Sequence, residues 1–177
     1  MNKQTKVNIL AKKYADVLYH HLVSVSQSVY KIKYEVVSLA EIKNIIKRTF
    51  QIDVPCADNK YQITDWLTWQ KLIEWDWTNH KKYIADFFDC NSFSDVFGAR
   101  MREFYHLNST GRFSCNIYDL TTKKVIPHRA RIIIAIDKTA LKVYILETQS
   151  DKWVEVEVGK PIVIGDWQYN PPYYIEF

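Results

Sequence analysis

Apolar residues recur at steps of three and four through the first part of this chain, then shift near residue 110 to short dense runs separated by turn residues. Val7, Leu10, Ala11, Tyr14, Val17, Leu18 and Leu22 share one stripe, which predicts an amphipathic helix over residues 6–30. Ser38-Leu39-Ala40-Glu41 carries the capping-box pattern, in which the Ser hydroxyl and the Glu carboxylate satisfy free backbone donors. Ile42, Ile45, Ile46 and Phe50 then form the buried stripe of a second helix. Residues 51–62, with Pro55, Asp58 and Asn59, read as a connection. Thr64 and Asp65 start a third helix that reaches about Glu74. Asp89 is the natural N-cap of a fourth, which opens at Cys90 and carries Phe93, Val96, Phe97, Met101 and Phe104.

After the turn-like Asn108-Ser109-Thr110-Gly111, strands are predicted from Arg112 to Tyr118, Ala130 to Ile136, Val143 to Glu147, Trp153 to Val158 and Pro161 to Ile164. The aromatic ending, Trp167 to Phe177, reads as a last edge strand. Helices first and antiparallel strands afterwards make an α+β domain, its N-terminal helices packed on a C-terminal antiparallel sheet.

With 177 residues, 47% of them hydrophobic and 15% aromatic, the chain can bury a full core and falls in no disordered class. A formal charge of +4 changes little, because Lys and Arg interleave with Asp and Glu. Lys3 to Lys13, with Lys31, Lys33, Lys47 and Arg48, reads as a solvated helical face, so no nucleic-acid partner is expected. Trp66, Trp69, Trp75 and Trp77 read as core and groove wall, Trp77 being a binding candidate. Cys56, Cys90 and Cys115 follow neither a CxxC nor a Cys/His zinc spacing, which argues against a disulfide scaffold and a structural metal. Lys12, Lys13 and Asp16 interrupt the N-terminal stretch, and no window holds the roughly eighteen apolar residues of a membrane span. The expected location is cytoplasmic, without a membrane partner.

Chemistry enters at Cys90. A thiol at a helix N-terminus feels the positive end of the peptide dipoles, which favours the thiolate. His128 precedes the apolar run Ile132 to Ile136, and Glu147 closes the next run, from Leu141. Cys on a helix, His on one strand and a carboxylate on the following one is the chain order of papain-like thiol catalysis. If the strand after His128 returns its ring to the start of the Cys90 helix, Cys90 serves as nucleophile, His128 as base and acid, and Glu147 fixes the imidazole tautomer. Otherwise Cys90 is a small buried hydrophobe, and His128 and Glu147 are solvated strand-end residues. Gln149, on the same strand face as Glu147, is a candidate polar support, and Asn91 a candidate binding residue. The Cys90 N–H is one candidate oxyanion donor.

The run Tyr61 to Trp77, with Lys82 to Asp86 and Phe88-Asp89-Cys90-Asn91-Ser92-Phe93, resembles the papain-like cysteine protease domain at the C-terminus of a mushroom agglutinin and its bacterial and phage relatives. That family carries an Asp-Cys-Asp-Asp-Phe-like motif at the nucleophile, a later His opening a strand, and a Glu-Pro-Gln-Thr-like motif. The matching positions are Asp89 to Phe93, His128, and Glu147-Thr148-Gln149-Ser150. Leu107 to Gly111 and Gly165 to Tyr169 extend the resemblance over residues 58–177, with residues 1–57 left as a helical segment outside it. The resemblance implies a papain-like fold and a Cys90, His128, Glu147 triad. It also implies calcium activation, yet Asn91 and Ser92 stand where the motif is acidic, so no cofactor is expected. After His128, Arg129-Ala130-Arg131 replaces the family's small residue, aromatic and Asn, and reads as exposed strand-end charge, with contact to an acidic substrate or partner as the alternative.

The expected function is thus a thiol hydrolase cutting an amide bond in a peptide or protein substrate. Two alternatives stand beside it: a catalytically retired scaffold used for interaction, and a peptidoglycan-directed amidase or endopeptidase. The N-terminal helices would cap the groove, form a homodimer or bind a partner.

Overall fold

The computed structural model describes residues 32–177, so the helix expected over residues 6–30 lies outside the described residues. The described chain opens with β1 (Glu35–Ser38) and α1 (Leu39–Phe50). Glu41 N–H donates to the Ser38 hydroxyl, and the Glu41 carboxylate accepts from Ser38 N–H at 2.7 Å, so the capping box forms as expected. Gln51, left-handed at φ 61°, ends the helix.

Next come β2 (Lys60–Ile63), α2 (Trp66–Trp75), a 3-10 turn (Thr78–His80) and α3 (Cys90–Tyr105). Asp65 caps α2 by accepting from Thr68 N–H at 2.8 Å. The strands follow: β3 (Thr110–Asp119), β4 (Val125–Asp137), β5 (Ala140–Glu147), β6 (Lys152–Glu155), β7 (Ile162–Ile164), β8 (Trp167–Tyr169) and β9 (Tyr174–Glu176). Every pairing among them is antiparallel.

The large sheet runs β6-β5-β4-β3-β8-β7, and β9 joins β3 beyond β8. Pro171 and Pro172 separate β8 from β9 along that edge, since neither can donate to a ladder. β6 and β7, the two ends of the path, touch each other, so the sheet curls into a nearly closed barrel. One face of every strand fills its interior. Antiparallel partners share a face, and the pairs Ile132 with Ile145 and Ile134 with Val143 point inward, joined by Phe113, Cys115 and Ile117 of β3.

This corrects the expected architecture. The papain-like α+β arrangement needs helices as one half of the core, whereas here strand side chains fill most of it and the few helices sit around the sheet. α1 adds Ile42, Ile45 and Ile46, while Val37 of β1 and Val54 join the same core as the residues beyond 57. The reason for the difference is that β6 meets β7, so the inward faces of the strands enclose a core of their own, while Ala130 to Ala135 of β4 are buried by that core on one face and by α3 on the other. The small β1–β2 sheet, pairing Glu35 with Ile63, is a further departure from the expected connection at 51–62.

α2 and α3 cover the outer face. Tyr144, on the opposite face from Ile145, stacks on Trp66 with ring centroids 3.6 Å apart. Arg131 is 2% exposed, contrary to the exposed charge expected from sequence. Its guanidinium donates to Thr110 O at 2.7 Å and lies against Gly98 of α3.

Candidate active site

Three elements converge at the barrel end where β4 runs past β5. α3 presents Cys90 at its first turn, because Asp89 accepts from Asn91 N–H at 3.0 Å and Ser92 N–H at 3.3 Å and so halts the helix at the thiol. β4 carries His128, and β5 ends at Glu147. Cys115 of β3 is paired directly with His128 and therefore shares its face.

His128 Nε2 meets Glu147 Oε2 at 2.5 Å, both residues being buried. That contact leaves Nδ1 for the Cys90 thiol, which hydrogen-bonds the same ring. Burial alone would raise the Cys90 pKa. The hydrogen bond to His128, the Arg129 backbone N–H and the imidazolium charge outweigh it, so the thiol lies below the ordinary range. Burial would likewise lower the His128 pKa, but Cys90 and Glu147 push it up to about 9. Both shifts favour a thiolate beside an imidazolium. The other two thiols differ: burial raises Cys56 and pushes Cys115 up to about 12.

Glu147 is fully tied. Oε2 also accepts from the Tyr169 hydroxyl at 2.7 Å, and Oε1 accepts from Gln149 N–H at 3.2 Å. Trp167 packs edge-on against the His128 ring, centroids 5.1 Å apart. Neither Tyr169 nor Trp167 was identified from sequence. The aromatic ending and the resemblance over Gly165 to Tyr169 were the signals, and neither shows the partners of these side chains.

The remaining expected site residues fare unequally. Gln149 lies beyond the end of β5, not on its face, and serves Glu147 through its backbone N–H. Asn91 is exposed, its side-chain amide turned back 3.5 Å from Asp89 Oδ2. Trp77 is 70% exposed and lies beside His80, not in the core. The calcium that the sequence resemblance implies does not fit here. The Asp89 carboxylate caps α3, Asn91 and Ser92 add no charge, and among the described residues no group of three or more His, Cys, Asp or Glu could hold a metal ion. Among the described residues no helix is long and apolar enough to cross a membrane.

No protein-family model matches the sequence, and neither does any curated protein. Solved structures do match in fold. A Polyporus squamosus lectin bound to the human-type influenza-binding epitope Neu5Aca2-6Galb1-4GlcNAc is 12% identical with a TM-score of 0.58, over 80% of this chain and 49% of that one. A PSL1a-E64 complex is 11% identical with a TM-score of 0.57, over 80% and 51%. The chain therefore spans about half the length of the structures it matches. The likeness concerns the fold alone: it relates this curled antiparallel sheet to a chain of a mushroom lectin and replaces the papain-like assignment.

Proposed function

We propose that this chain is a thiol hydrolase that cleaves an amide bond in a peptide or protein. One observation carries the reading: a half-buried cysteine with a lowered pKa shares a proton with a histidine whose other nitrogen is held by a buried, fully bonded carboxylate. The other two cysteines have raised pKa values, so the pattern is particular to Cys90.

In this reading the Cys90 thiolate attacks the substrate carbonyl carbon. The Cys90 N–H, which the Asp89 cap does not use, faces the developing oxyanion together with the positive end of α3. His128 gives its Nδ1 proton to the leaving amine, and the C–N bond breaks to leave a thioester. His128 then takes a proton from water, whose oxygen attacks the thioester and frees Cys90. Glu147 keeps the imidazole in place throughout and balances its charge.

The two fold neighbours point in different directions. E64 is an epoxide that alkylates thiolates, so the PSL1a-E64 complex agrees with a reactive cysteine. The glycan on the Polyporus squamosus lectin is bound by that protein and is not carried over to this chain.

The test is incubation with an unfolded protein, followed by peptide mapping, with Cys90→Ala as the control and E64 labelling in parallel. New amino termini with the parent chain alone, and one E64 adduct on Cys90, are expected. Intact protein in both reactions and no adduct would defeat the proposal and favour a catalytically retired scaffold.

A further inference from the structure

The segment leading into the nucleophile is a closed turn. Ile84 and Phe88 form an isolated antiparallel bridge in which Ile84 N–H donates to Phe88 O at 2.9 Å. The N–H groups of Phe87 and Phe88 donate back to Ile84 O at 3.0 and 2.7 Å. Asp86 takes the left-handed conformation, φ 64°, that so tight a reversal requires. Phe88 anchors the turn, its ring 4.7 Å from Phe93 of α3 and Lys81 Nζ 5.7 Å above it. Phe87 is left 84% exposed, next to the half-exposed Tyr83 and Ile84.

Only Phe88 and Asp89 separate Phe87 from Cys90. The two α-carbons therefore lie within about 11 Å of each other, even with the linking chain fully extended. A bound peptide advances about 3.3 Å per residue, so side chains within a few positions of the cleaved bond fall inside that reach. A phenylalanine held in water by a hydrogen-bonded turn adds nothing to the core, and its apolar surface is available to a ligand. Lys81 is engaged over Phe88 and not over Phe87.

Building on the hydrolase reading, we propose that Phe87 is a specificity-determining residue that receives an apolar side chain of the peptide substrate near the cleaved bond. The expected substrate class is a peptide with a large apolar residue at a fixed offset from the bond that Cys90 attacks. One apolar group in such a contact discriminates by roughly ten- to two-hundred-fold.

The experiment uses the full chain and a set of quenched hexaglycine peptides that carry one phenylalanine at each position in turn. Cleavage sites are read by mass spectrometry, and iodoacetamide alkylation of wild-type Cys90 is followed alongside. Wild type is expected to cut the phenylalanine peptides at one constant offset at least about tenfold faster than hexaglycine itself. Phe87→Ala should lose most of that ratio, and Phe87→Leu should keep most of it. Fast alkylation without an offset preference, or a preference that survives Phe87→Ala, overturns the role of Phe87 alone. Slow alkylation with no cleavage of any peptide overturns the hydrolase reading together with it.

Discussion

Tyr169 and His128 bond one and the same oxygen, Glu147 Oε2, at 2.7 and 2.5 Å. Two donors on one carboxylate oxygen hold it in a single orientation, and Gln149 N–H holds the other oxygen. In the proposed hydrolase Tyr169 acts through Glu147, as a positioning residue. Tyr169→Phe should therefore free the carboxylate to turn from His128. Alkylation of Cys90 at pH 7 should slow by about three- to tenfold, with the acid limb of its pH profile moved upward by up to about one unit. A lower melting temperature with an unmoved limb would mean a purely structural hydroxyl.

Glu147→Gln tests the charge itself. The amide keeps the shape but removes the negative charge and the anionic acceptor that raise the His128 pKa. His128 then holds its proton less well, and Cys90 loses the imidazolium that lowers its pKa. Thiolate formation, read by absorbance near 240 nm during a pH titration, should shift to higher pH than in wild type. An unchanged titration would show that Glu147 does not support the pair.

Asp151 supplies a pH effect away from the thiol. Burial, with a smaller contribution from the Asp76 charge, pushes its carboxyl from 3.8 up to about 7, and Asn79 Nδ2 donates to it at 2.6 Å. Between those two pH values the folded chain keeps a proton that the unfolded chain has released, so stability falls as pH rises through that window. Asp151→Asn retains an acceptor for Asn79 and cannot ionise. Its urea midpoint should change less between pH 5 and pH 8 than that of wild type. Equal pH dependence in both chains would remove Asp151 as the source.

Gly98 sits in α3 directly against Arg131. A methyl group there would lie 2.6 Å from the guanidinium carbon, and Arg131 is buried and bonded to Thr110. In an open helix Gly to Ala gains up to about 1 kcal/mol. Here overpacking, typically about 1–3 kcal/mol, should outweigh that gain. Gly98→Ala is expected to lower the urea midpoint. A raised midpoint would show that Arg131 can move aside freely.

Those features written in short stretches of chain were legible. The caps at Ser38, Asp65 and Asp89 act on backbone donors within three residues, so sequence alone located all three helix starts. Cys90, His128 and Glu147 stood out from chain order together with the family resemblance, and the structure brings the three side chains together. What depended on distant register was not. Tyr169 reaches Glu147 only because β8 aligns it with Ile117 of β3. The curl of the sheet needs β6 to meet β7, a relation that alternating hydrophobicity does not encode. Arg131 was misread for a similar reason, since a strand-end arginine looks solvated until a helix is laid over it. Gly98 inside an amphipathic helix was the available clue to that close approach.

The central claim is that Cys90 draws its reactivity from His128. The most direct test is the pH dependence of iodoacetamide alkylation at each of the three cysteines, in wild type and in His128→Ala. Cys90 should be the fastest thiol at pH 7 by at least about tenfold, with an acid limb below that of an ordinary cysteine. That advantage should vanish in the variant while Cys56 and Cys115 stay as they were. Three equally sluggish thiols, or a Cys90 profile that His128→Ala leaves untouched, would contradict the account.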